Sequence, residues 1–212
     1  MNYFSSTGLK KSFLCFGFLF FSSVLFAQTD SISAVEEIQK FRQVLDADYK
    51  NPKESPLGVT KAAHFEGHHF HQINLNYRVI AKAEKISKPS SFFMQTTTDR
   101  KPEYRRLYKL SFVLRDTLCE LYAYQSVDLS KQEEYKDYLF LPFTDKSNGF
   151  TSYGGGRYID LRIPEGDSLI IDFNQSYNPY CAYSGRFSCP VPPKENALPV
   201  TIEAGILAPE PH

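Results

Sequence analysis

RYIDLRIPEGDSLIIDFN, residues 157–174, is the stretch that decides the fold class. Its middle, from Pro164 to Ser168, consists of turn formers and separates two runs in which apolar and polar residues alternate. Such alternation is typical of β-strands, because successive side chains point to opposite faces. The stretch therefore predicts an antiparallel hairpin in which Ile159 faces Phe173 and Leu161 faces Ile171 across one apolar face.

The same register predicts a pair of carboxylates on the opposite face of the hairpin. Asp160 falls directly across from Asp172, and like charges in such positions are unfavourable by about 0.2–1 kcal/mol. Arg157 or Arg162, a bound metal, or a proton shared by the two carboxylates would compensate. A shared proton would make Asp160 and Asp172 a catalytic acid/base pair, whereas exposure of both aspartates to solvent beside the arginines is the inert alternative.

Alternation on the N-terminal side of the hairpin extends the prediction to a mainly β protein. Residues 73–84 alternate between apolar and polar side chains, and Arg115 with Asp116 would turn a second hairpin. Further strands are predicted at residues 92–97, 109–114, 118–125, 138–143 and 200–204. Many short strands separated by turns favour an antiparallel β-sandwich or a partly open barrel.

One α-helix is predicted before the strands. Ser33 and Glu36 have the spacing of a capping box, and apolar residues recur every three or four positions from Ile32 to Tyr49. Pro52 would end this helix. The fold class predicted is therefore mainly β with one N-terminal helix.

The first residues predict export from the cell. Lys10 and Lys11 precede an apolar run that ends near Ala27, which is typical of a cleaved signal peptide. The run is shorter than the roughly 20 residues that span a bilayer, so no membrane span is expected after cleavage. The chain divides into a signal peptide at 1–27, a helix and linker at 28–56, and a single β-rich domain at 57–212. We expect the mature protein in the periplasm or outside the cell.

Net charge excludes a general attraction to nucleic acid. The chain has 24 Lys and Arg against 24 Asp and Glu, so no strong field of either sign surrounds it. No basic patch interleaved with aromatic residues is present in the sequence either. We therefore expect no nucleic-acid partner.

The loop after the hairpin, up to residue 196, is the second candidate region. It collects amides, phenols and a thiol, among them Asn174, Asn178 and Cys181, where prolines stiffen the backbone. Before the hairpin, three glycines lead into Arg157, and their N–H groups could hold an anion. A turn or bulge entering the strand, and a stiff crossing of the sheet end, are the structural alternatives.

The cysteines and histidines leave several alternatives open. Cys181 and Cys189 would close a short loop as a disulfide in an oxidising compartment, which leaves Cys119 unpaired. Cys181 could also serve as a nucleophile if a base lowered its pKa. His69 and His71 would share one face of a strand, but an exposed histidine-rich turn is the preferred interpretation, and no metal site is predicted.

Three segments resemble the bacterial proteins that carry domain of unknown function 1684. They are YLFLPFTDKSNGFTSYGGGRYIDLRIPEGDSLIIDFNQSYNPYCAYSGRFSCPVPPKENALPVTIEAGI and, more loosely, FEGHHFHQINLNYRVIAKAE and FFMQTTTDRKPEYRRLYKLSF. The resemblance implies one domain and a shared site but no activity, because the family has none assigned. The family pattern is matched at Asp145, Gly156, Arg157, Tyr158, Asp160, Asp172, Asn174, Asn178, Pro179, Cys181, Cys189, Pro190, Pro193 and Asn196.

Two features of this family bear on the alternatives above. Its pattern keeps both cysteines in members that look cytosolic, which argues against a purely structural disulfide. The histidine cluster of this chain, His64, His68, His69 and His71, departs from the pattern, where an aromatic-rich stretch is usual.

The leading functional hypothesis is an exported β-domain that binds a small polar or anionic molecule. The pocket would be built from the 157–174 hairpin and the 174–196 loop, with these binding residues: Arg157, Tyr158, Asn174, Asn178, Cys181 and Asn196. A hydrolase that uses Asp160 and Asp172, or Cys181, is the enzyme alternative. A non-catalytic interaction protein of the envelope is the third possibility, and the sequence indicates no particular cofactor.

Overall fold

The computed structural model describes residues 17–210, with side chains described from residue 30 onward. The chain forms an antiparallel sheet that curls into a half-barrel, with one main helix near the N-terminus, as predicted. The strands are β1 Arg78–Lys85, β2 Ser91–Phe93, β3 Glu103–Leu114, β4 Thr117–Ser126, β5 Tyr138–Phe143, β6 Arg157–Arg162 and β7 Ser168–Asp172. The helices are α1 Gly17–Lys50 and the single turn α2 Val59–Ala62.

The strand order is β6-β5-β4-β3-β1-β7, with β2 paired to β3. The β3–β4 hairpin turns at Arg115 and Asp116, as predicted, and both residues adopt positive φ angles of 48° and 60°. Two adjacent residues with positive φ make a turn whose twist matches that of the flanking strands. This hairpin forms the centre of the sheet.

The predicted pairing of residues 157–162 with residues 168–174 is wrong. Both segments form strands, but β6 pairs with β5 and β7 pairs with β1, at opposite ends of the strand order. Asp160 therefore lies opposite Phe140, and Asp172 lies opposite Arg78. Alternation determines which face a side chain occupies, but it does not determine the partner strand.

One face of the sheet carries the main hydrophobic core. The apolar face predicted for the hairpin belongs to this core, since Ile159, Ile171 and Phe173 are all buried in it. The segment after residue 196 closes the core with Leu198, Ile202 and Ala204. The predicted strand at 200–204 is wrong, because this segment runs as irregular chain and bonds to the residues that follow β5.

The opposite face carries a second, aromatic cluster. Its buried members are Met94, Tyr104, Tyr124, Phe140 and Tyr158. Half-buried aromatic rings, Tyr177 among them, pack against this cluster. The residues that follow Tyr177 are held to the sheet side by backbone bonds such as Val191 N–H to Gln95 O at 2.8 Å.

Helix α1 ends at Lys50, just before Pro52, as predicted. Its start differs from the prediction, because the helix is already formed at Gly17 and passes through Ser33 without a break. Ser33 therefore does not cap a helix start, since capping needs a non-helical residue. Residues 1–16 of the predicted signal peptide lie outside the described part of the chain, and residues 17–27 belong to α1. None of the helices within residues 17–210 has the length and apolar character needed to span a bilayer.

Candidate functional site

The two aspartates of the predicted acid/base pair have separate surroundings. Asp160 is exposed, and its Oδ1 accepts hydrogen bonds from the hydroxyls of Tyr138 and Tyr177, each at 2.7 Å. Asp172 is buried, and its Oδ2 lies 3.0 Å from Nη1 of Arg78. Because they do not face each other, the two carboxylates cannot share a proton across a ladder.

Arg157 lies inside the core, whereas the sequence predicted that it lines a ligand pocket. Its side chain is fully buried and its Nη2 is 2.9 Å from Oδ2 of Asp145. The guanidinium also donates to three backbone carbonyls of the closing segment, those of Ile202, Ala204 and Ile206. Nη1 and Nη2 of a guanidinium can donate to a carboxylate and several carbonyls at once, which explains why an arginine occupies this position.

The three asparagines of the predicted site join separate chain segments. Asn174 exchanges two hydrogen bonds with the backbone of Asn74, at 2.9 and 3.0 Å. Asn196 does the same with Tyr122 and also donates to the carbonyl of Pro142. Both amides are buried. They provide hydrogen bonds to backbone groups that have no partner on a neighbouring strand.

Asn178 and Tyr158 are tied to the chain in the same way. The Nδ2 of Asn178 donates to the carbonyl of Leu207 at 2.8 Å. The hydroxyl of Tyr158 donates to the carbonyl of Pro190, and its backbone pairs with Tyr177. Both side chains are buried and hold the 174–196 loop against the sheet.

Cys181 is the predicted site residue that carries a nucleophilic thiol, and it is only half-buried. Its backbone N–H donates to Sγ of Cys189 at 3.1 Å. The hydroxyl of Tyr153 is 4.0 Å from Sγ of Cys181. A hydrogen bond from the thiol of Cys189, with further bonds from Tyr153 and Thr97, lowers the pKa of Cys181 to about 6 against the opposing effect of burial.

A cleft of about 490 Å³ lies elsewhere, beside the histidine cluster. Its walls come from residues 57–69, from Tyr183, and from residues 206–210. The polar side chains that line it are Lys61, His64, Glu66, His68, His69 and Glu210. Sequence reasoning missed this cleft, and the histidine cluster was the signal that could have located it.

His68 is the most distinctive side chain of the cleft. Its Nδ1 lies 2.6 Å from Oδ1 of Asp46 on α1, and its side chain is 3% exposed. The rings of Tyr49, Phe65 and Tyr183 pack against it. Burial lowers the pKa of His68, while Asp46 acts in the opposite direction. Its Nε2 has no hydrogen-bond partner among the described residues.

The carboxylate of Asp46 determines which imidazole nitrogen carries the proton. Asp46 accepts from Nδ1 of the neutral ring, so Nε2 keeps its lone pair and acts as an acceptor. A buried acceptor without a donor costs about 1–3 kcal/mol. Within residues 30–210 there is no group of three His, Cys, Asp or Glu side chains arranged to hold a metal ion.

Comparison with known proteins gives a family and a related structure. The structure of the uncharacterised protein from gene locus rrnAC0354 of Haloarcula marismortui, determined by solution NMR, is similar with a TM-score of 0.67 and 33% identity. The alignment covers 87% of this chain and 99% of that protein. No curated protein matches the chain. The model of the family described as protein of unknown function (DUF1684) matches residues 63–206, and the chain therefore belongs to that family.

Proposed function

We propose that this chain is an exported protein that binds a small polar molecule in the cleft between residues 57–69 and 206–210. The observation that carries the proposal is His68, which lines a cleft of about 490 Å³ and whose buried Nε2 has no hydrogen-bond partner among the described residues. Small-molecule sites commonly occupy about 300–1,000 Å³ and combine apolar walls with a few placed polar groups. This cleft has both properties.

The chemistry of the cleft indicates the kind of ligand. An acceptor at Nε2 of His68 selects a molecule with a hydroxyl or amino group that donates. The ammonium of Lys61 offers a partner to a carboxylate or phosphate, and Glu66 and Glu210 offer partners to an amine. Apolar residues such as Leu57 and Ile206 would cover the rest of the molecule. A small hydroxylated acid satisfies the histidine and the lysine together.

Thermal unfolding of the purified protein with paired small molecules tests this proposal. Each hydroxy acid, polyol or sugar is paired with its O-methylated counterpart, which cannot donate from that oxygen. A ligand at one hundred times its dissociation constant adds about 2.7 kcal/mol, which corresponds to a rise in Tm of roughly 5–11 °C for a chain of this size. We expect the Tm to rise with the hydroxylated molecule of at least one pair and to stay unchanged with its O-methylated counterpart.

Two histidine variants provide the matched control. His68→Phe keeps an aromatic ring in the same packing but removes Nε2, so the ligand-induced rise should disappear. Among the described residues, the buried Nε2 of His71 also has no hydrogen-bond partner, but His71 does not line the cleft, so His71→Phe should keep the rise in Tm. An equal rise in His68→Phe, or no rise with any pair at millimolar concentration, would overturn the proposal.

Export is the second part of the proposal and has its own test. The charged residues Lys10 and Lys11 and the apolar run to Ala27 support it. The intact mass of protein recovered from the host envelope or medium should match a chain that begins at Gln28. Recovery of the uncleaved chain in the cytoplasm alone would contradict export.

A further inference from the structure

A pair of thiols lies outside the cleft, in the loop that covers the aromatic cluster. Cys189 is held rigidly there, because its N–H donates to Oγ1 of Thr97 at 3.1 Å and its carbonyl accepts from the N–H of Thr97 at 2.9 Å. Its side chain is buried. The bridge between Thr96 and Pro190 extends this attachment on the next residue.

Cys181 lies against this fixed thiol in a turn of 3-10 helix, Tyr180–Ala182. Its N–H reaches Sγ of Cys189 at 3.1 Å, so the sulfur of Cys189 sits beside the backbone of Cys181. The geometry thus gives the pair one half-buried cysteine, Cys181, and one buried cysteine, Cys189.

The surrounding hydrogen-bond donors favour the thiolate form of Cys181. Cys189, Tyr153 and Thr97 all hydrogen-bond toward Cys181, and these bonds lower its pKa to about 6. The same contact raises the pKa of Cys189, which keeps its proton between the two sulfurs. The thiolate is the form of cysteine that attacks disulfides, and a neighbouring protonated thiol is the usual resolving partner.

We propose that Cys181 and Cys189 form a reversible dithiol–disulfide couple, in which Cys181 exchanges with low-molecular-weight disulfides and Cys189 resolves the intermediate. The buried position of Cys189 restricts direct attack to Cys181. This couple is independent of the cleft and its ligand.

The exchange consists of two balanced steps. The Cys181 thiolate attacks one sulfur of the small disulfide, forms a mixed disulfide, and expels the other half as a thiolate. The negative charge that held the proton on Cys189 is then gone, so Cys189 transfers its proton to solvent or to the expelled thiolate. The Cys189 thiolate attacks Sγ of Cys181 and releases the second half as a thiolate, so the two products carry the one proton that Cys189 gave up. The protein dithiol is oxidised by two electrons, and the small disulfide is reduced by two.

Incubation of the purified chain with defined ratios of reduced and oxidised glutathione tests the couple. After the thiols are quenched by alkylation, peptide mass spectrometry counts the free cysteines at positions 181 and 189. We expect the free thiols of Cys181 and Cys189 to disappear together as the proportion of oxidised glutathione increases. Both free thiols should return when reduced glutathione is added. A disulfide that reduced glutathione does not reopen in the folded protein would be structural and would overturn the proposal.

Three cysteine variants separate the roles of the sulfurs. Cys189→Ser should accumulate the mixed disulfide with glutathione at position 181, because no resolving thiol remains. Cys181→Ser should leave Cys189 unmodified at least tenfold longer than Cys181 in the wild type, and Cys119→Ser should behave as the wild type. Far-UV circular dichroism establishes that each variant is folded. Failure of folded Cys189→Ser to trap glutathione, or equal reaction of Cys189 in Cys181→Ser, would refute the assignment.

Discussion

Replacement of Arg157 by methionine should destabilise the fold by about 3–5 kcal/mol, the usual cost of removing one partner of a buried ion pair. Methionine fills much of the same volume, so the loss comes from charge and hydrogen bonding rather than from a cavity. Oδ2 of Asp145, which is 2.9 Å from Nη2 of Arg157, would become a buried charge without its cation. The three carbonyls that Arg157 contacts would lose donors as well. For a chain of this size the change corresponds to a fall in Tm of roughly 6–20 °C.

Urea denaturation followed by circular dichroism measures this loss. The control is Arg162→Met on the same strand, because Arg162 pairs with Asp137 at 2.7 Å but its side chain is 57% exposed. An exposed pair contributes about 0–1 kcal/mol, so the control should stay close to the wild type. If Arg157→Met fails to fold, Arg157→Lys keeps the charge and should give an intermediate midpoint. A loss below about 1 kcal/mol for Arg157→Met, equal to the control, would refute the buried-pair argument.

The remaining predictions concern a backbone position and the pH dependence of a thiol. Gly205 has a φ of +76°, and a Cβ there would meet Ser176 and approach the carbonyl oxygen of Phe173 to 2.5 Å, so Gly205→Ala should lower the denaturation midpoint. Gly166→Ala, where a Cβ would meet nothing within 4 Å, should leave the midpoint unchanged. Alkylation of Cys181 by iodoacetamide should show a half-maximal rate near pH 6, because its pKa is lowered to about 6. The stability contributed by this thiolate should be complete above the ordinary cysteine pKa of about 8.5 and should be lost as the pH falls through 6, and a stability curve that is flat across this interval would contradict the assignment.

Periodicity predicted the faces of the strands correctly. The apolar positions Ile159, Ile171 and Phe173 all lie in the main core, and Asp160 and Arg162 are exposed. The turn at Arg115 followed from local chemistry that needs no knowledge of the rest of the chain. The presence of a strand, and the face to which each of its side chains points, depend on the local sequence. Both can therefore be predicted from a single sequence.

Pairing and polar burial could not be predicted in this way. β5 offers β6 an equally regular partner, and the choice between β5 and β7 depends on contacts made far along the chain. Arg157 lies two residues before Ile159, so alternation places both side chains on the core side of β6. Its charge nevertheless led to the prediction that it binds a ligand. Its actual partners are Asp145 and backbone carbonyls about 45 residues away along the chain. No local sequence pattern predicts these contacts.

The cleft could not be predicted from the sequence either, because it depends on contacts between segments that are distant along the chain. Asp46 on α1 and His68 after α2 are 22 residues apart, and their contact depends on how α1 packs against the loop that contains Tyr183. The histidine cluster was visible in the sequence, but its carboxylate partner was not. Cys181 and Cys189 were recognisable as a pair because they are close along the chain.

The closing segment at residues 197–206 has a consequence for the order of folding during synthesis. Every strand leaves the ribosome before this segment, yet Leu198, Ile202 and Ala204 complete the main core and residues 202–206 supply the acceptors for Arg157. Until these residues emerge, the nascent sheet would have to bury a guanidinium without most of its acceptors, which is strongly unfavourable. The chain is therefore expected to acquire its native core only after residues 197–206 have emerged.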